Sequence, residues 1–283
     1  MARKLYKFIK AEYAIQSLKV NRLKLSTIDD LNDPFDLCSV DTTDSRVEAF
    51  LELHIRYFSE NCAMLCFCRN WDSLLLWSHY GDSHAGICLG FDIPDDSAYE
   101  MEVHYQPNVI QVSGPDEINE AFFFRLLRTK HESWSYEQES RMFVSRPDPP
   151  DTQGLHFIDF APRLTLSEVI FGSQCETKHF EPAVELLKDY PDAKAFWAHM
   201  HKDSFLLGRL LAPPAVVPSE SDEAARHAIT KLIPSSIDLS AEVIAGQRAF
   251  AKTAYLRNVI SARTNSNVPS PFNAAAPHLR ARQ

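Results

Sequence analysis

The chain has 283 residues, 45% of them hydrophobic, 11% aromatic and 24% charged, with a formal net charge of −9. This balance supports a substantial buried core and excludes a disordered chain. The acidic surplus argues against a dedicated nucleic-acid binder and leaves room for a local basic cleft. Six cysteines (Cys38, Cys62, Cys66, Cys68, Cys88, Cys175) do not form a disulfide framework at this length. Cys66 and Cys68 flank one Phe in an apolar run and cannot pair with each other on a strand, so reduced thiols in a cytoplasm are expected. The first residues lack an apolar core of signal-peptide length, and no stretch approaches the ~18 apolar residues of a membrane span, so no membrane partner is expected.

In chain order, residues 5–9 read as a short strand, 11–18 as a helix with Ala14, Ile15 and Leu18 at helical spacing, and 23–26 as a second strand. Leu31-Asn32-Asp33-Pro34-Phe35-Asp36 is a turn, in which Asn and Asp bond their own backbone, Pro sets φ and Phe35 plugs into the core. Residues 45–59 form an amphipathic helix with Val47, Phe50, Leu51, His54, Ile55 and Phe58 on one stripe. Residues 64–68 are a buried strand. Asp72 or Ser73 caps a helix over 74–80 that ends at Gly81, and 87–91 are another buried strand closed by Pro94-Asp95-Asp96. A strand over 102–106 precedes a helix that Pro115 opens and that runs to about residue 130 with Arg125, Arg128 and Lys130. After Trp134–Val144, a loop at 147–151 leads to strands at 155–160 and 168–172, a helix at 180–189 and a last strand at 193–197. The composition changes near residue 211. Residues 1–211 are one α+β domain, and 212–283 are a linker, two helices (223–233 and 240–259) and a flexible tail.

Chemistry has three candidate locations. Trp77-Ser78-His79-Tyr80-Gly81-Asp82-Ser83-His84 gathers histidines, a hydroxyl, a phenol and an acid at a helix end. A Ser78/His79/Asp82 hydrolase is disfavoured, because adjacent helical residues point apart and no nucleophile elbow is present, and a hydrolase or nuclease built around His79, Asp82 and His84 is the weakest reading. The cysteines with His79 and His84 lack a zinc spacing, and no metal site is expected. No Gly-rich phosphate loop is present, and eight glycines leave little room for one. The third location is Trp134-Ser-Tyr136-Glu137-Gln-Glu139-Ser-Arg141, where period-two geometry would put Glu137, Glu139 and Arg141 on one face. The alternative there is an exposed strand edge dressed with charges.

The order of buried strand, helix with Tyr80, second buried strand and late Glu-x-Glu resembles the ADP-ribosyltransferase superfamily. More closely, the chain resembles a bacterial family known only as domain of unknown function 2971. Its marks are Leu5-Tyr6-Lys7-Phe8, Asn32-Asp33-Pro34-Phe35, Trp77-Ser78-His79-Tyr80, Trp134-x-Tyr136-Glu137-x-Glu139-x-Arg141 and Glu168-Val169-Ile170-Phe171-Gly172, covering about residues 4–208.

The superfamily resemblance implies a split, mostly antiparallel mixed sheet with flanking helices and NAD as substrate. Glu139 would steady the oxocarbenium-like ribose, Glu137 would orient or deprotonate the acceptor, and Tyr80 would stack on nicotinamide. Tyr6, Lys7, Asn32, Trp77, Ser78, His79, His84 and Arg141 would complete the cofactor pocket, with Lys7 or Arg141 on phosphate or ribose. Lys7 stands where the superfamily has His or Arg, and Cys66-Phe67-Cys68 where it has Ser-Thr-Ser. The acceptor would be a protein or nucleic acid, in a toxin, an effector or phage defence. A catalytically silent nucleotide-binding or sensor module, with the C-terminal helices docking a partner protein, stays open as the alternative.

Overall fold

A computed structural model describes residues 2–94, 100–147 and 150–210. It is α+β, built on one eight-stranded sheet. The chain enters the sheet with β1 (Ala2–Ile9) and passes through helix α1 (Ala11–Val20) and the short β2 (Arg22–Lys24) to helix α2 (Ser45–Asn61). Then come β3 (Cys62–Cys68), helix α3 (Leu74–His79), β4 (Ile87–Pro94), β5 (Glu100–Glu102) and β6 (His104–Gln106). Helix α4 (Glu120–Leu127), β7 (Thr129–His131), β8 (Glu139–Ser145), β9 (Phe157–Asp159) and β10 (Thr165–Phe171) follow. Helix α5 (Thr177–Leu186), β11 (Lys194–Met200) and β12 (Leu207–Leu210) complete the described chain.

The large sheet runs β12-β11-β10-β4-β1-β3-β8-β5, and two-stranded ladders join β2 with β9 and β6 with β7. Within the large sheet only β10 and β11 are parallel. β1 pairs with β4 over its whole length but meets β3 at a single register position, Tyr6 with Cys68. The sheet therefore has a seam at its centre, between the first and third strands.

Period-two alternation assigns the two faces. Leu5, Ala63, Leu65, Phe67, Leu89, Phe91, Met142 and Val169 turn to a core roofed by α1 and α5 through Ala11, Ala14, Leu18 and Ala183. Tyr6, Phe8, Cys88 and Ile170 turn the other way, against Leu76 and Trp77 of α3, while Met64 and Phe143 meet Phe58 of α2. No helix among the described residues is long and apolar enough to cross a membrane.

Several expectations need correction. The helix placed from Pro115 to residue 130 is three pieces, a 3-10 turn at Pro115–Glu117, then α4, then β7. Asn119 interrupts it because its side chain caps α4, accepting from the Phe122 N–H at 3.0 Å. Phe35 does not plug its turn into the core. It is 76% exposed, and Leu37, held at φ 64, is the buried residue. The stretch around Glu139 is no edge, since β8 lies between β3 and β5. β12 was not foreseen. The helices placed at 223–233 and 240–259, the linker and the tail lie outside the described residues.

Candidate functional site

Helix α3 aims the first site residue. Ser73 caps it by accepting from the Leu76 N–H, and Trp77 anchors it, fully buried, with its indole N–H donating to the Trp71 carbonyl at 2.7 Å. Gly81 stops the helix, and a Cβ there would lie 2.6 Å from the Trp77 ring, so no other residue fits. Tyr80, the residue between, projects half-buried toward the mouth of β8.

There a 3-10 turn, Glu132–Glu137, ends at Gln138 in the left-handed region, φ 44. Such a conformation costs a non-glycine residue roughly 1–2 kcal/mol. The Arg69 N–H on the Gln138 carbonyl (3.1 Å) and the Asn70 amide on its side chain (2.9 Å) hold it in place. The reversal brings Glu137 and Glu139 inward together, although only Glu139 belongs to the strand. Both are 4% exposed.

The carboxylates meet two cations and a third acid. Arg141, with no exposed surface, donates to Glu139 through Nε (2.8 Å to Oε1) and Nη2 (3.1 Å to Oε2). It reaches Asp36 with Nη1 at 3.0 Å and Nη2 at 2.6 Å, and the Leu127 carbonyl at 3.0 Å. Lys130 Nζ lies 2.7 Å from Glu137, 3.4 Å from Glu139 and 3.8 Å from Asp36, and 4.7 Å from the centre of the Trp134 ring. The Tyr80 hydroxyl donates to Glu137 Oε1 and accepts from the Asn32 amide at 2.9 Å. The Tyr105 hydroxyl accepts from the Glu139 N–H at 2.8 Å.

Three carboxylates against two cations leave one negative charge in excess. Burial alone would raise the Glu139 carboxyl, but Arg141 and then Lys130 outweigh it and hold the group down at about 2. Burial and then Glu137 push the Tyr80 phenol far above its ordinary value, so it stays a hydrogen-bond donor. Burial, with Glu139 next, raises the Cys66 thiol to about 12, which rules out a thiolate nucleophile.

Residues 76–142 match a family described as "Protein of unknown function (DUF2971)". The matched segment holds Tyr80, Tyr105, Lys130, Glu137, Glu139 and Arg141, and it stops short of Asn32 and Asp36 on the N-terminal side. No curated protein and no solved structure matches the chain.

The other expected site residues are spread around this segment. Lys7, half-buried, donates from Nζ to the Cys66 carbonyl at 3.2 Å, across the seam where the β1–β3 ladder is missing. Tyr6 belongs to a second polar group. Its hydroxyl donates to Glu168 (3.2 Å) and accepts from Arg209 (3.1 Å), while Arg209 grips both Glu168 oxygens at 3.0 and 2.9 Å. Burial, then Glu168, pushes the Tyr6 phenol up to about 12. The Arg209 guanidinium lies 4.8 Å from the Trp71 ring centre and 4.9 Å from that of Phe196.

Trp77 is core. Ser78 and His79 are exposed, with the His79 ring 5.9 Å from Tyr136 and 6.2 Å from Tyr80. His84 stacks on Trp77 at 6.2 Å, and burial lowers its pKa and keeps it neutral. Its place in the left-handed turn at residues 82–84 is structural. Among the described residues no three His, Cys, Asp or Glu side chains are placed to hold a metal ion. Hollows of about 430 and 370 Å3 occur elsewhere, and no residue of the carboxylate cluster lines them.

Sequence reasoning missed Asp36, Tyr105, Lys130 and Arg209. Lys130 falls at the end of the helix that the sequence predicts, where a lysine is normally solvated, and Asp36 falls at the end of the predicted turn, in which Asn32 and Asp33 are the turn-makers. No local pattern marks either residue.

Proposed function

We propose that the protein is an ADP-ribosyltransferase-like enzyme that cleaves NAD and transfers ADP-ribose to a macromolecular acceptor. The observation that carries this reading is the Tyr80–Glu137 hydrogen bond, because the phenol and the acidic pair had to meet for any such chemistry. It is further supported by the sheet order β1-β3-β8, three strands far apart in the chain: Lys7 of β1 reaches the Cys66 carbonyl of β3 across the seam, and on the other side of β3 Glu139 of β8 pairs with Cys68.

The roles divide between the two carboxylates. Both Glu139 oxygens are engaged by Arg141, so Glu139 is a positioning residue that holds Lys130 and, through it, Glu137. Glu137 Oε1 meets only the half-exposed Tyr80 hydroxyl, so a ribose hydroxyl reaches it by replacing that donor. The C1′–N bond to nicotinamide then breaks, its electron pair leaving on the nicotinamide nitrogen. The excess negative charge of the cluster offsets the positive charge growing on the ribose. The acceptor nucleophile closes a new bond at C1′, and its proton passes to Glu137 or to solvent. Half-buried Trp134 and Tyr136 supply aromatic faces for the nicotinamide or adenine ring, and Lys7 a cation for phosphate or ribose.

Full-length protein incubated with NAD and cell lysate, then probed for ADP-ribose on macromolecules, tests the transfer. Labelling above a no-enzyme control supports it, and no labelling together with no nicotinamide release rejects it.

A second reading is favoured by one specific observation. Every oxygen of Glu137 and Glu139 already has a protein partner, which suits a silent nucleotide-binding or sensor module. NAD raising Tm without nicotinamide release would select this reading.

A further inference from the structure

The outward face of α2 carries a stripe that its own fold does not explain. Arg46, Ala49, Phe50, Leu53, Tyr57 and Glu60 follow one another at helical spacing, and all are exposed. Leu53 is 60% and Tyr57 68% exposed. The inward residues of the same helix, Val47, Leu51 and Phe58, already fill the core. A surface helix normally keeps polar residues on its outer face.

The stripe is also charge-ordered. Arg46 stands in the first turn and Glu60 in the last, opposite to what the helix dipole favours. Their placement is symmetric about Leu53, with Arg46 seven residues before it and Glu60 seven residues after. An antiparallel second copy of α2, related by a two-fold axis at Leu53, would therefore set each Arg46 against the partner's Glu60, and Leu53 against its own counterpart. Phe50 would meet the partner's Arg56, a guanidinium over an aromatic face. The reversed helix dipole of the partner would favour the same arrangement.

We propose that the outward face of α2 is an isologous interface through which two copies of this chain pair antiparallel about Leu53. Arg46 now holds Asp44 at 2.6 Å, an exposed pair that the partner's Glu60 joins without breaking. The apolar centre spans Ala49 to Tyr57, about 12 Å along the axis at ~1.5 Å per residue, with the charge pairs closing both ends. Aromatic and arginine contacts inside a polar rim are the composition of a specific interface. Heterologous association through the same face would lack the symmetric pairing of charges.

Sedimentation velocity on the full-length protein at ~100 µM tests this, a concentration that fills a micromolar contact. The parent is expected to sediment as a dimer, and Leu53→Asp, at an exposed position, as a folded monomer. Arg46→Glu and Glu60→Arg each set like charges against each other and are expected to be monomeric alone. Mixed in equal amounts, they restore both charge pairs and are expected to form a dimer. A monomeric parent, a dimer indifferent to Leu53→Asp, or no recovery on mixing the two charge variants would each overturn the proposal.

Discussion

The Tyr80 phenol donates its hydrogen bond to Glu137 from 57 residues away in the chain, with Asn32 closing the relay on its other side. A helix C-terminus and a strand entrance are thereby locked in one orientation. Tyr80→Phe removes the donor and leaves the ring. It is expected to destabilise the fold by about 1.5–3 kcal/mol, as for a buried hydrogen bond to a charged acceptor. Denaturant titration reads this directly, and an unchanged midpoint would show that the bond contributes nothing.

Arg141 is the most committed residue of the cluster. Removing its charge strands Asp36 and Glu139 in a dry interior. Arg141→Met is expected to cost about 3–5 kcal/mol. The triple variant Arg141→Met, Asp36→Asn, Glu139→Gln removes the stranded charges too. Equilibrium unfolding should find it more stable than the single variant, because no buried ion is then left unpaired.

The same network predicts a pH dependence. The folded-state pKa of Glu139 is depressed from 4.5 to about 2. A depressed acid contributes stability above its unfolded pKa and loses it as pH falls through the folded value. Stability from this group is therefore constant at neutral pH and declines between about pH 5 and pH 2. Glu139→Gln should flatten that limb of a stability-against-pH profile relative to the parent. An equally steep acid limb in the variant would show that the carboxylate is not held down.

The turn at residues 31–37 separates what was legible from what was not. Its Asn-Asp-Pro chemistry is local, and the turn is where the sequence reading put it. Which way its side chains face is decided by distant partners, because Asp36 is drawn in by Arg141, 105 residues away, while Asn32 stays exposed and donates to the Tyr80 hydroxyl. That leaves Phe35 outside and Leu37 inside. Phe35→Ser should thus change stability by less than about 0.5 kcal/mol, while Leu37→Ala should cost about 2–5 kcal/mol. Comparable losses in the two variants would contradict this assignment.

The buried strands were readable for the opposite reason. Residues 64–68 and 87–91 are nearly continuous apolar runs, and β3 and β4 contain them, β3 starting two residues earlier at Cys62. The Glu-x-Glu stretch was readable as a pair, but its burial was not, since β5 and β3 cover it from either side only in the folded sheet. Lys130 was lost because the helix expected to carry it stops at Leu127, where the chain turns into β7. Arg209 sits on a four-residue strand with no motif around it, and only the register of β12 on β11 sets it beside Glu168.

The most direct test of the account is nicotinamide release from NAD by the parent protein and by Glu137→Gln, measured on folded material at equal concentration. The account predicts release by the parent and a fall of about 10²–10⁴-fold in the variant, the range for removing one group that acts on the reacting centre. Equal release from the two proteins, or none from the parent, would contradict it.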